Sequence, residues 1–224
     1  MLNSLRRRIH SGAAMGAIHF AACVFVRFVH RLRVEGVPQG RAWADRAPGA
    51  GAIVVANHLS GIDPVLLQVV FPHEIRWMMD RSMMLRLLSP FWKFLRIIEV
   101  DADGAHTSIG AIRDSLRHLQ SGGVLGIFPE GQIARPQGRI YPFFPGMASL
   151  AARSRCKTFL FVIDGVVESR SAFIGIIRPS RARVRLIGVI EPPARGGEEA
   201  WADAIRLQMA QALGYPTTDR LAKQ

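Results

Sequence analysis

The sequence is short of cysteine, tyrosine and acidic side chains. Only two of its 224 residues are cysteine, Cys23 and Cys156, far apart and each in apolar surroundings. That spacing excludes a disulfide framework and a cysteine-built metal site. It predicts two reduced, buried thiols in a chain facing a reducing compartment. Tyrosine also occurs only twice, and most aromatic residues sit inside apolar runs. Single-stranded nucleic-acid surfaces interleave exposed aromatics with basic residues, so no nucleic-acid partner is expected. The chain shows no internal repeat and no glycine-x-serine-x-glycine turn. A repeat architecture and the common serine-hydrolase elbow are thereby set aside.

Acidic residues number 17 against 29 lysines and arginines, a formal charge of +12. The isoelectric point is near 11.3 and the mean hydropathy is +0.17. A positive field of this size attracts anionic lipid head groups or phosphorylated ligands. With 49% apolar residues the chain is neither disordered nor low in complexity. It is long enough for one large domain with its own core.

Long apolar runs free of charge are also missing. Arg6, Arg7 and Arg8 precede an apolar run from Gly12 to Val29, but that run contains His19 and Arg27. A membrane span needs about 20 apolar residues, and this run is shorter. Arg31-Leu32-Arg33 follows it in place of a small-residue cleavage site. The expectation is a membrane-associating helix within residues 1–31, lying in the interface or as a shallow re-entrant anchor with its arginines toward an anionic leaflet, followed by one domain over 32–224; the alternative is a core helix with a basic start. Arg81–Ile98 has a similar character, with Trp92 and Phe94 among Arg81, Arg86, Lys93 and Arg96, and a break at Ser89-Pro90. It reads as two short helices, either at a lipid interface or in an ordinary packed pair.

Between these segments apolar runs and amphipathic stretches alternate. Strands are expected near Leu32–Val37 and at Ala52–Ala56, Ile75–Met79, Ile97–Val100, Val124–Phe128, Thr158–Ile163, Phe173–Ile177 and Val184–Ile190. Helices are expected over Val65–Phe71, with Asp63 as N-cap and Pro64 at the first helical position, and over Thr107–Gln120, Gly146–Arg153 and Glu198–Leu213. Gly122-Gly123 ends the second of these helices. The alternation predicts an α/β layered domain with a mostly parallel central sheet flanked by helices.

Two stretches carry candidate chemistry. In Asn57-His58-Leu59-Ser60-Gly61-Ile62-Asp63-Pro64, a histidine follows an apolar strand and an acid lies five residues on. Across a turn at Gly61 the Asp63 carboxylate can fold back onto the imidazole, orienting one nitrogen as donor and leaving the other as base. The alternative is a helix-capping Asp63 beside a structural His58. In Phe128-Pro129-Glu130-Gly131-Gln132-Ile133-Ala134-Arg135, an acid follows a buried strand, and Gly131 permits close backbone approach to a ligand. Arg135 and Arg139 are candidates to hold a phosphate, or else belong to a solvated basic face.

Taken together and in this order, the two stretches resemble the glycerolipid acyltransferase family. The resemblance spans roughly Val34–Ile190, and Tyr141-Pro142-Phe143-Phe144-Pro145-Gly146 is similar to the family's continuation of the second stretch. It implies that His58 is the general base and Asp63 its orienter. Asn57, Ser60, Glu130, Gly131, Arg135 and Arg139 are then candidates for substrate binding. No metal and no cofactor are implied. Acyl-CoA or acyl-carrier protein is the implied co-substrate, and a lysolipid hydroxyl, that of 1-acylglycerol-3-phosphate, the implied acceptor. The expected place of work is the cytoplasmic face of an inner membrane, with the protein peripheral or monotopic on an anionic bilayer.

Three departures bear on the acceptor. Asp101-Ala102-Asp103 stands where the family carries an arginine for glycerol phosphate. Gln132-Ile133 replaces threonine-arginine after Glu130-Gly131, and Thr158–Ile163 has no proline. An acceptor without glycerophosphate, such as a lyso-ornithine lipid, is one alternative. Rescue of phosphate binding by Arg96, Arg135 or Arg139 is another, and a non-catalytic basic membrane-binding protein is a third.

Overall fold

A computed structural model describes residues 16–37, 51–80, 97–100, 109–169 and 171–219. Arg6–Arg8, residues 81–96 of the expected helix pair, and the acidic Asp101–Asp103 segment lie outside them. The described strands are β1 (Arg33–Glu35), β2 (Ala52–Val55), β3 (Ile75–Asp80), β4 (Ile98–Val100), β5 (Val124–Ile127), β6 (Lys157–Asp164) and β7 (Arg183–Ile190). The described helices are α1 (16–28), α2 (Asp63–Val70), α3 (Ile109–Gln120), α4 (Gly146–Ser154), α5 (Ala172–Ile177) and α6 (Glu198–Leu213).

One seven-stranded sheet runs in the order β1-β7-β6-β2-β5-β3-β4. Every pairing is parallel except β6 with β7. The central strands β2 and β5 are buried at every position, as continuous apolar runs in a parallel sheet must be when both faces are covered. Alternate residues point to opposite faces. Ala52 and Val54 of β2 enter one core with Val26 of α1 and Leu66 and Leu67 of α2. Ile53 and Val55 enter the other, with Leu119 of α3, Leu150 of α4 and Ile205 of α6. The result is a three-layer α/β architecture, as the sequence pattern predicts.

Three expectations change. Residues 172–177 form a helix where a strand is expected. A five-residue apolar run has too little length to separate the two periods. Asp63 is not the N-cap of α2: Ile62 holds that position and Asp63 is the first helical residue, because its carboxylate is committed to the turn before it. Of the two thiols, Cys156 is buried while Cys23 is half-buried.

The sheet fixes where the chemistry sits. β2 and β5 are adjacent, parallel and in register from Ala52↔Val124 to Val55↔Ile127. Their carboxyl ends therefore release Asn57-His58 and Phe128–Gly131 side by side, the edge where open α/β sheets bind ligands.

Candidate active site

The turn after β2 closes on a single oxygen. Asp63 Oδ2 accepts hydrogen bonds from the backbone N–H of Leu59 (2.6 Å) and Ser60 (2.8 Å), and lies 2.9 Å from His58 Nδ1. The carboxylate is fully buried, and the imidazole retains 15% exposure. A carboxylate only accepts, so Nδ1 carries the proton and Nε2 keeps its lone pair. Three donors on one buried oxygen fix the Asp63 rotamer, and Asp63 in turn fixes the ring. The turn is also tight from outside. A Cβ on Gly61 would stand 2.3 Å from the Ala172 carbonyl oxygen, so glycine is required where α5 presses on it.

The ring is further held by its faces. His58 stacks on Phe128 with centroids 4.1 Å apart and planes 12° apart, and Phe128 stacks on Trp77 at 4.9 Å and 10°. Trp77 crosses β5 at Gly126, where any Cβ would lie 2.4 Å from the indole. Sequence reasoning missed this column. Its one signal was Gly126 inside an otherwise apolar strand, since glycine there marks a close approach.

Glu130 ties the two stretches together. It is buried, and its carboxylate accepts from the backbone N–H of His58 (Oε1, 3.0 Å) and of Tyr141 (Oε2, 3.0 Å). Burial pushes its pKa up from 4.5 to about 7, against those two N–H donors, which favour the anion. Both oxygens are thus committed to the backbone, so in this structure Glu130 organises the site from behind. Asn57 does the same on the other side: it is fully buried, donates Nδ2 to the Ile163 carbonyl (2.9 Å) and accepts from the Ile163 N–H (2.8 Å), locking β2 to β6. Ser60 is buried too, with its hydroxyl against Gly175 of α5.

The loop after Glu130 is laced onto the histidine segment. Gly131 takes φ +68°, and a Cβ there would strike the Phe144 ring. Ala134 N–H donates to the His58 carbonyl at 2.7 Å. Gln137 Nε2 donates to the Leu59 carbonyl at 3.0 Å. Arg135, between those anchors, is half-buried and donates Nε to the Ser169 carbonyl at 3.1 Å. Arg139 is exposed. Of the sequence candidates, the structure therefore gathers Asn57, His58, Ser60, Asp63, Glu130 and Gly131 around one turn, and places Arg135 in the loop bonded to it. Arg139 stands outward on the same loop.

An imidazole polarised by Asp63, stacked on Phe128, partly open and with no partner on Nε2 among the described residues is suited to taking a proton from a bound hydroxyl. The fold is similar to the crystal structure of the 1-acyl-sn-glycerophosphate (LPA) acyltransferase PlsC from Thermotoga maritima, with a TM-score of 0.70 and 17% sequence identity, covering 93% of this chain and 81% of that one. No curated protein matches the sequence. Residues 31–163, more than half of the chain and enclosing both the His58–Asp63 turn and Glu130, match the family model described as Acyltransferase. The chain belongs to the acyltransferase family.

Proposed function

We propose that this protein moves a fatty acyl chain from acyl-CoA or acyl-carrier protein to a lysophospholipid hydroxyl, forming phosphatidate from 1-acylglycerol-3-phosphate at the cytoplasmic face of an inner membrane. The observation that carries the reading is the His58–Asp63 pair at the carboxyl end of β2, in a turn whose backbone is bonded to the loop that bears Arg135. His58 Nε2 accepts the proton of the acceptor hydroxyl. The hydroxyl oxygen attacks the thioester carbonyl, a carbon–oxygen bond forms, and the carbon–sulfur bond breaks. The imidazolium, stabilised by Asp63, returns its proton to the departing thiolate. Ser60, the nearest hydroxyl in sequence, is buried against α5, which supports direct transfer over an acyl-enzyme. Arg135 and Arg139, on the loop bonded to that turn, are the candidates to meet an acceptor phosphate.

The membrane role of α1 rests on its composition and exposure: Phe20 and Phe28 are 70% and 76% exposed. Among the described residues no helix is long and apolar enough to cross a membrane. The acidic Asp101 and Asp103 favour one further reading, an acceptor with a cationic head such as a lyso-ornithine lipid.

A panel of lysolipids offered with acyl-CoA and with acyl-carrier protein tests this, with product identified by mass and His58→Ala as blank. Phosphatidate formed by the wild type alone supports the proposal. Product from a different lysolipid only moves the acceptor to the second reading. Equal thioester consumption by wild type and His58→Ala removes the catalytic role of His58.

A further inference from the structure

The helix that replaces an expected strand presents apolar side chains outward. In α5 Phe173, Ile174 and Ile177 are exposed, Ile177 to 67%. Its inner face is small and packs on the site: a Cβ on Gly175 would lie 2.2 Å from Ser60 Oγ, and the Ala172 carbonyl sits against Gly61. The outward side chains are thus not needed to hold the helix in place.

α5 is stitched to the end of α1. His30 is fully buried; its Nε2–H donates to the Ile176 carbonyl at 2.8 Å and its Nδ1 accepts from the Ser180 hydroxyl at 2.8 Å. Ser180 N–H donates to the Val29 carbonyl at 3.3 Å. On α1, Val26 faces the core, while Phe20, Val24 and Phe28 recur every fourth residue on an exposed stripe. A surface helix of a water-facing protein carries polar residues there. Two elements that are bonded to each other and both carry outward apolar residues point to a docking surface.

Charge decides the occupant. Arg27, Arg31, Arg178 and Arg181 are exposed around these two segments, and residues 16–31 and 171–181 contain no aspartate or glutamate. Apolar residues edged by arginine complement an anionic bilayer, with the rings in the acyl boundary and the guanidinium groups at the phosphates. We infer that α5 is a second bilayer-contact element, forming with α1 one docking face for an anionic lipid surface and holding the His58–Asp63 turn directly behind it. This rests on the proposed lipid acceptor: an acceptor that stays in the bilayer needs the base held at the bilayer's surface.

Flotation of the full chain with phosphatidylcholine vesicles, with and without phosphatidylglycerol, tests the inference. Phe173→Ser combined with Ile177→Ser is expected to lower binding to the anionic vesicles about tenfold or more, the scale set by withdrawing two such side chains from an interface. Its circular dichroism and its turnover of a detergent-dispersed acceptor are expected to stay at wild-type levels. Ile177→Trp supplies a second readout, with emission that shifts to the blue on anionic vesicles and is quenched by brominated lipid. Wild-type flotation of the double variant, or an Ile177→Trp emission unchanged by vesicles, overturns the inference. So does loss of a wild-type oligomer in the double variant with vesicle binding intact, which assigns the face to a second copy. Flotation is read without turnover, so failure of the acyl-transfer proposal shows separately, as a wild type inactive in every format.

Discussion

The turn after β2 and the loop after β5 are both closed by a buried carboxylate, and they differ in reach. Among the described residues Asp63 bonds only positions three to five away, all through Oδ2. Glu130 bonds His58, 72 positions back, and Tyr141, 11 positions ahead, one through each oxygen. The first acid shapes a local turn and touches the reacting ring. The second acts through backbone alone and clamps two loops that the sheet has brought together. The difference predicts that loss of Asp63 chiefly alters chemistry, whereas loss of Glu130 chiefly alters stability and, through it, geometry.

The largest expected effect lies on the local side. Asp63→Asn keeps the volume, and its amide oxygen can accept the bonds that Oδ2 accepts, but it removes the negative charge that stabilises the imidazolium formed when His58 takes the proton. Acyl transfer should fall by about 10²–10⁴-fold, the range for a positioned general base, with a nearly unchanged melting temperature. A large fall in melting temperature with catalysis intact would break the contrast.

Glu130→Gln is expected to reverse the balance. One amide end must meet a backbone N–H as a donor, which costs about 1–3 kcal/mol for a buried unpaired group. Urea unfolding reads that loss, and turnover should fall less than in Asp63→Asn. The pH dependence sharpens the point. The folded carboxyl titrates near 7 and the unfolded one near 4.5. Between those values the folded state binds the extra proton, so Glu130 gives up stability as pH rises through that window, on the order of 3 kcal/mol in all. The stability of wild type relative to Glu130→Gln should therefore shrink from pH 4.5 to pH 7. A difference that grows over that range would mean the two N–H donors outweigh burial.

The smallest effect expected is at the ring stack. Phe128→Leu preserves apolar burial and removes the aromatic face under His58. A stack of this kind is worth about 0.5–1.5 kcal/mol, so kcat should drop about 2- to 10-fold with the acceptor KM unchanged. A KM effect instead would place Phe128 against the acceptor.

The same difference in reach explains what the sequence could reveal. His58, Gly61 and Asp63 lie within six residues, and a turn with a returning carboxylate follows from their order and types. The continuously apolar runs of β2, β5 and β6 announced a sheet covered on both faces, and the periodicity of Glu198–Leu213 announced α6. Glu130 was legible as a candidate but its partners were not, because no local pattern states that His58 N–H will stand beside it. Arg135 was legible as a candidate to hold a phosphate or as part of a basic face, but its bond to Ser169 was not, because it depends on a segment 34 residues on. Residues 172–177 were unreadable for a different reason. Apolar side chains normally signal burial, and here most of them face outward.

The central claim is that His58 and Asp63 act as one unit. Its most direct test is the double-mutant cycle of His58→Ala and Asp63→Asn, read as the initial rate of thioester-dependent lysolipid acylation. The account predicts strong non-additivity, with the double variant no slower than His58→Ala alone. Losses that multiply, or an Asp63→Asn enzyme at the wild-type rate, would contradict it.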